Sequence, residues 1–188
     1  TAERFSALYS ELTLIEKLVW NLQDLSRFES PEMRISPADV NAWKFADDVS
    51  SRFVLLAEKK NIKFSVEKKC AEDFEFQADP LLLMRCVSNL LQNAFQYTAE
   101  DGEVTLCIEE QAENRVKISV LNTGAISEED IPHVFDRLYR GDRSRSSAGS
   151  GLGLSIAQAI ANLHGGTIEV RNTTNKRGEN CVCFSVAV

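Results

Sequence analysis

Two asparagines four residues apart, Asn89 and Asn93, interrupt the otherwise apolar run "NLLQNAFQYT" (89–98). On a helix they share one face, with Gln96 and Tyr97 a turn further on. A buried amide without partners costs about 1–3 kcal/mol, so this face must meet something polar. Backbone partners would give the amides a purely structural role. Alternatively, their oxygens are hard ligands for a magnesium ion and its waters beside a triphosphate. "SAGSGLGLSIAQAIANLHGG" (147–166) places Gly149, Gly151 and Gly153 on alternate positions ahead of an apolar helical pattern. Glycine there lets bare backbone approach an anion, which unpaired N–H groups and the helix dipole attract. Neither common phosphate loop fits. Leu154 and Ser155 stand where a Walker loop has Lys-Ser/Thr, and Gly153 follows Gly151 by two residues instead of three.

Between these stretches, "HVFDRLYRGDRSR" (133–145) sets Phe135, Leu138 and Tyr139 among Arg137, Arg140, Arg143 and Arg145. Four arginines against Asp136 and Asp142 leave two surplus positive charges just before the glycines. The stretch is either a solvated loop or a lid that closes over phosphates.

The elements that must position these groups follow from the apolar period. Residues 1–28 read as one uninterrupted helix, with Phe5, Leu8, Leu12, Ile15, Val19, Leu22 and Leu25 recurring at three and four. Such a helix exceeds the reach of one small domain and is expected to pack on another helix. "MRI" (33–35) reads as a short strand and 38–60 as one amphipathic helix. "IKFSVEKK" and "FEFQA" alternate as strands. Asp79 then caps a helix that starts at Pro80 and runs to about Thr98. "EVTLCIEEQ" and "RVKISVLN" form strands joined by a turn at Glu113-Asn114, and 123–150 is loop-rich. A helix over 151–163 and the strands "TIEVRN" and "NCVCFSVAV" complete the chain. The order lacks regular βαβ spacing. It predicts an α+β fold, a two-layer sandwich with helices on one face of a mixed sheet, preceded by the long helix.

Bulk properties narrow the partners. The 188-residue chain is 44% hydrophobic and 26% charged, with a formal net charge of −7. That acidity argues against nucleic acid, which needs a basic face. No run reaches membrane-spanning length and no signal peptide opens the chain. Five cysteines without a C-x-x-C pair read as buried thiols in a reducing cytoplasm. Cys181 and Cys183 share a strand face, but two ligands make a poor metal site.

In this order and spacing, "NLLQNAFQYT", "LNTGAI", "VFDRLYR" and "GSGLGLSIAQAIANLHGGTIEV" resemble the four nucleotide boxes of sensor histidine kinases. Those kinases belong to the ATPase/kinase group shared with Hsp90, DNA gyrase and MutL. The resemblance covers about 35–188, and "ELTLIEKLVWNLQDLSRFES" is similar to the second helix of the dimerisation and histidine-phosphotransfer hairpin. It implies a division into residues 1–30, that helix, and residues 31–188, a catalytic ATP-binding domain. It implies ATP and Mg2+ as cofactors, with Asn93 as metal ligand and Asn89 as a phosphate or metal-water contact. Gln96, Tyr97, Asn122, Gly124 and Ile126 belong to the implied ATP site. Gly149, Gly151, Leu152, Gly153 and Leu154 bring backbone N–H groups to the phosphates. Arg140 and Arg145 are the implied lid cations, anchored by Phe135 and Tyr139.

The sequence departs from the family pattern at several positions. Gln96 stands where Lys is usual, and Asn122 replaces the Asp that accepts from the adenine amine; Asn122 can accept through its amide oxygen. The loop has Ala125 in place of a second glycine, and "RGENCVCF" lacks the usual Gly-Thr.

The hydrolases of the group carry a Glu four residues before the metal Asn, where this chain has Asn89, and an amide is no general base. The resemblance therefore implies transfer to a histidine by positioning and charge stabilisation. Neither His133 nor His164 has the sequence context of that acceptor. His164 reads as a helix C-terminal residue and His133 as a structural or solvent-facing one. The expected whole is the cytoplasmic part of a kinase in the bacterial inner membrane. It would dimerise through its hairpin helices and signal to a response regulator receiver domain. A nucleotide-binding pseudokinase or docking module is the alternative, supported by Asn122, the short loop and Gln96.

Overall fold

The structure is a computed structural model and describes residues 2–141 and 150–188. The long helix α1 (Ala2–Phe28) forms as its period requires. Its apolar stripe is divided by depth: Phe5 is 74% exposed, whereas Leu25 and Phe28 are buried in the domain core. Only the last turns of α1 lie against the domain. Arg85 pairs with Asp24 at 2.6 Å and stacks its guanidinium over the Phe28 ring, fixing that end.

The next stretch differs from expectation. "MRI" is not a strand; the strand is β1 (Ala38–Asn41), inside the range expected to be helical. Ala38–Asn41 pairs antiparallel with β3 (Glu75–Ala78), a distant partner that local pattern does not reveal. Asn41 then caps α2 (Ala42–Ser51), its side chain accepting from the Lys44 N–H at 2.9 Å. The expected single helix is two, α2 and α3 (Val54–Lys59). At the break the Phe53 N–H donates to Ser50 O, a tightened turn. It delivers Phe53 parallel onto the Phe95 ring, centroids 5.7 Å apart.

Helix α4 (Pro80–Tyr97) starts as predicted, with Asp79 Oδ1 accepting from the Leu81 and Leu82 N–H groups. Asp79 Oδ2 accepts from the Ser36 N–H. Burial alone would raise this carboxyl, but the three backbone donors outweigh it and hold it below its usual range. Leu83, Cys86, Val87, Leu90 and Leu91 are buried beneath the helix, while Leu82 is only half-buried.

The main sheet has the order β2-β4-β5-β7-β6. These strands are β2 (Lys63–Lys69), β4 (Glu103–Gln111), β5 (Arg115–Thr123), β7 (Asn180–Ala187) and β6 (Thr167–Thr174). β2 runs parallel to β4 and all other pairs are antiparallel, so the sheet is mixed. Its apolar rows, such as Val66–Leu106–Val120–Phe184–Val170, face α4 and α5 (Gly153–Leu163). The β4–β5 turn uses positive φ at Glu113 and Asn114, where the sequence placed it. The two-layer α+β sandwich stands as expected. The separate β1–β3 pair was not foreseen, and α5 begins at Gly153, two residues later than read.

The thiols fit their reading in part. Cys86, Cys181 and Cys183 are buried, while Cys70 and Cys107 are half-buried. Burial pushes the Cys86 thiol up to about 12 and raises the other four. No cluster of three or more metal-ligating side chains occurs among the described residues.

Candidate functional site

The two sequence features that suggested chemistry meet in space. Asn89 on α4 faces the first residue of α5, and a Cβ built on Gly153 would lie 3.8 Å from Asn89 Oδ1. The Asn89 Nδ2 is buried with no hydrogen-bond partner among the described residues. An orphaned amide donor is a costly feature in a folded chain and marks a place where a polar group belongs. α5 starts without a side-chain cap, its N-cap being the αR residue Leu152. Its first N–H groups therefore open beside the same amide.

Asn93 and Gln96 follow Asn89 along α4, both half-buried, and Tyr97 is exposed at the helix end. Leu152 is fully buried and Leu154 packs partly against the core, so both side chains anchor the glycine-opened turn. Gly149 and Arg145 lie outside the described residues.

Gly151 shows a tighter constraint. Its φ is +67°, and a Cβ there would stand 2.8 Å from the Leu138 carbonyl carbon. The Leu138 N–H donates to Gly151 O at 2.9 Å. At this position the backbone that comes close is the chain's own.

Asn122 ends the core-facing row of β5 and is only 3% exposed. Its Nδ2 donates to Thr123 O at 3.1 Å. One amide hydrogen is thereby used by the main chain, which leaves the oxygen as acceptor and the second hydrogen as donor. Gly124, at φ +138°, turns the chain out of the sheet beside it. Ile126 follows, half-buried, held by the side chain of Asn172 on β6: its N–H donates to Oδ1 at 3.0 Å and its carbonyl accepts from Nδ2 at 2.8 Å.

The segment between this loop and α5 is pinned at several points. Phe135 meets the Phe184 ring edge-on, centroids 6.2 Å apart. The Tyr139 hydroxyl donates to Asp130 Oδ1 at 2.5 Å, and this bond holds the Asp130 carboxyl below its usual range. Arg137 forms an ion pair with Glu29 just past α1, so it is committed away from the cleft. Arg140 is half-buried. His133 pairs through Nδ1 with Asp136 at 2.8 Å, fitting its structural reading. His164 caps α5: its Nδ1 lies 2.8 Å from Ile160 O, and Nε2 accepts from the Asp79 N–H at 3.0 Å. In that pattern Nδ1 is the donor and Nε2 the acceptor.

A groove of about 690 Å³ lies between the end of α1, Phe135–Arg137 and α5. It is a different place: four of its five α5 residues, Ser155, Gln158, Ala159 and Asn162, lie on the helix face opposite Gly153 and Ala157.

Two contacts escaped sequence reasoning. The Glu29–Arg137 pair spans 108 positions and carries no local signal. Asn172 did leave one, since it follows Ile168 and Val170 at period two and breaks an apolar strand face.

Comparison with known proteins gives the family and the fold. Residues 78–187 match the family model described as histidine kinase-, DNA gyrase B-, and HSP90-like ATPase. The sensor histidine kinase CusS of Escherichia coli O157:H7 is 34% identical over 93% of this chain. The chain spans only about a third of that relative, 36% of its length. Among solved structures, the catalytic domain of histidine kinase ThkA superposes with a TM-score of 0.69 at 28% identity, covering 82% of this chain and 97% of that one. ThkA in complex with the response regulator protein TrrA matches 98% of this chain and 50% of that one, at 26% identity and a TM-score of 0.75. No helix among the described residues is long and apolar enough to cross a membrane.

Proposed function

Since the chain belongs to the family of histidine kinase-, DNA gyrase B- and HSP90-like ATPases, we propose that residues 31–188 are the catalytic domain of a sensor histidine kinase. It binds ATP and passes the γ-phosphate to a histidine outside this chain. Residues 1–30 are the second helix of the hairpin that carries the acceptor. The observation that carries the reading is the orphaned Asn89 amide facing the uncapped, glycine-opened start of α5.

Each residue has a role that its surroundings permit. Asn93 offers an amide oxygen, the hard neutral donor that suits a magnesium ion already held by phosphates. When bound, that ion neutralises charge on the transferring phosphoryl group. Asn89 donates through its unpaired Nδ2 to a phosphate oxygen or accepts from a metal-bound water. Leu152, Gly153 and Leu154, with Gly149 and Gly151, lend main-chain N–H groups to the phosphates, the Leu152 N–H by exchanging its 3.3 Å bond to Ser150 Oγ. Gln96 and Tyr97 border the nucleotide. Arg140 and Arg145 supply positive charge from the lid, while Phe135 and Tyr139 hold its base.

Asn89 also decides the reaction type. At this position the hydrolases of the family resemblance carry a general base, and an amide cannot remove a proton from water. Bound ATP waits for the histidine. The same reading makes a response regulator receiver domain the downstream partner. The exposed Phe5–Leu22 stripe of α1 is the surface on which a parent homodimer forms, with the parent anchored in the bacterial inner membrane.

The test is incubation with γ-labelled ATP, alone and with an added hairpin bearing an acceptor histidine. The chain alone is expected to bind ATP, release no appreciable phosphate and remain unlabelled. With the hairpin, label should appear on the hairpin, lost in acid and kept in base. Acid-labile label on His133 or His164, or steady phosphate release, would overturn the assignment.

Base selectivity rests on Asn122. Its amide oxygen accepts from the adenine amine, and guanine presents a carbonyl there instead. Losing that bond and opposing two acceptors costs about 1–3 kcal/mol, so ATP should bind about 10–100-fold more tightly than GTP. Asn122→Asp should keep that preference, because the carboxylate is also an acceptor. Equal calorimetric affinities for the two nucleotides would remove Asn122 from the adenine site.

A further inference from the structure

Strand alternation puts Ile168, Val170 and Asn172 of β6 on the helix-covered face, with Asn172 in the row that runs through Val182 to Asn122. Ile168 and Val170 pack against the core. Asn172, exposed at the sheet edge, is used differently. Its Oδ1 and Nδ2 together satisfy both main-chain groups of Ile126, at 3.0 and 2.8 Å. One side-chain amide thus does what a neighbouring strand would do. Nδ2 also lies 3.4 Å from Glu128 Oε1.

Those bonds add to a single apolar anchor, the Ile126 side chain, which packs partly against the core. Ile126 lies in irregular structure between β5 and the short 3-10 turn at Ile131–His133. From Gly124 to Ile126, the remaining main-chain bond to the domain is Gly124 N–H to Asn180 O, at 2.9 Å. The loop is therefore fixed at one end by β7 and at the other by Asn172.

We propose that Asn172 is a positioning residue for the base: it holds Ile126, and with it the loop from Gly124 to Glu128, in the shape that receives adenine beside Asn122. Asn172 sets affinity and base selectivity without touching the nucleotide. This rests on the reading of the cleft as a nucleotide site. The chemistry requires an amide. Aspartate would keep the acceptor for the Ile126 N–H but set a negative charge against the Ile126 carbonyl and near Glu128. Serine can serve one of the two groups, and alanine neither.

The experiment compares the wild-type chain with Asn172→Ala and Asn172→Asp. It measures amide exchange without nucleotide and calorimetric affinity for ATP and GTP. Because Asn172 is exposed, both variants should fold, and unchanged exchange in α4 verifies that. Loss of two hydrogen bonds should speed exchange of the Ile126 amide about tenfold or more in Asn172→Ala. ATP affinity should fall by about tenfold in both variants, with the ATP-to-GTP ratio compressed towards one. A wild-type chain that binds no ATP would overturn the nucleotide reading of the cleft and the proposal with it. Wild-type binding with unchanged ATP affinity or an unchanged base ratio in Asn172→Ala would overturn the proposal alone.

Discussion

Asn93→Ala is expected to lower magnesium-dependent ATP affinity by about 10- to 100-fold while leaving the fold intact. A side chain that meets a charged ligand contributes about 1.5–3 kcal/mol, which at 1.4 kcal/mol per decade gives one to two decades of affinity. The side chain is half-buried and is not part of the hydrophobic core beneath α4, so its truncation opens no core cavity. Calorimetry with and without magnesium separates the two contributions. The variant should bind ATP equally weakly in both conditions. If it kept the wild-type response to magnesium, the metal would be held elsewhere.

The second large effect concerns Gly151. Gly151→Ala places a methyl carbon 2.8–3.1 Å from the carbonyl carbon, Cα and carbonyl oxygen of Leu138, all backbone atoms. A flexible side chain could yield, but main chain at that distance must move. The alanine would also hold φ at +67°, a strained region for an L-residue. Overpacking of this kind costs about 1–3 kcal/mol, and the backbone conformation about 1 kcal/mol more. Relief comes by breaking the Leu138 N–H to Gly151 O bond, which separates the lid base from the start of α5. Thermal unfolding should shift down by about 4–16 °C, and the Leu138 amide should lose its exchange protection. A melting temperature within about a degree of wild type, with Leu138 still protected, would show that the two segments part without cost.

These expectations trace to signals of different range. The amide pair on α4, the Asp79–Pro80 helix start and the strands of the sheet were readable because each depends on residues within one or two turns of one another. The glycine spacing announced a close approach, and at Gly151 the approaching group is Leu138, thirteen positions earlier in the chain. The misread stretch at 33–60 has the same origin. Ala38–Asn41 has little strand propensity of its own and is extended because β3 pairs with it. The helix break at Phe53 contains no proline or glycine and coincides with the stacking of Phe53 on Phe95.

The alternation of elements, the face of α4 that carries Asn89 and Asn93, and the bare backbone before α5 are all legible along the chain. These are local properties, set by period, caps and the absence of side chains. Folding adds that Asn89 Nδ2 lies near Gly153 without a partner among the described residues, that Arg137 is taken by Glu29, and that Asn172 holds Ile126. Each of those joins residues 46 to 108 positions apart. No pattern along the chain encodes such a pairing, because the partners become neighbours only when the helices close over the sheet and fix the register of β5, β7 and β6.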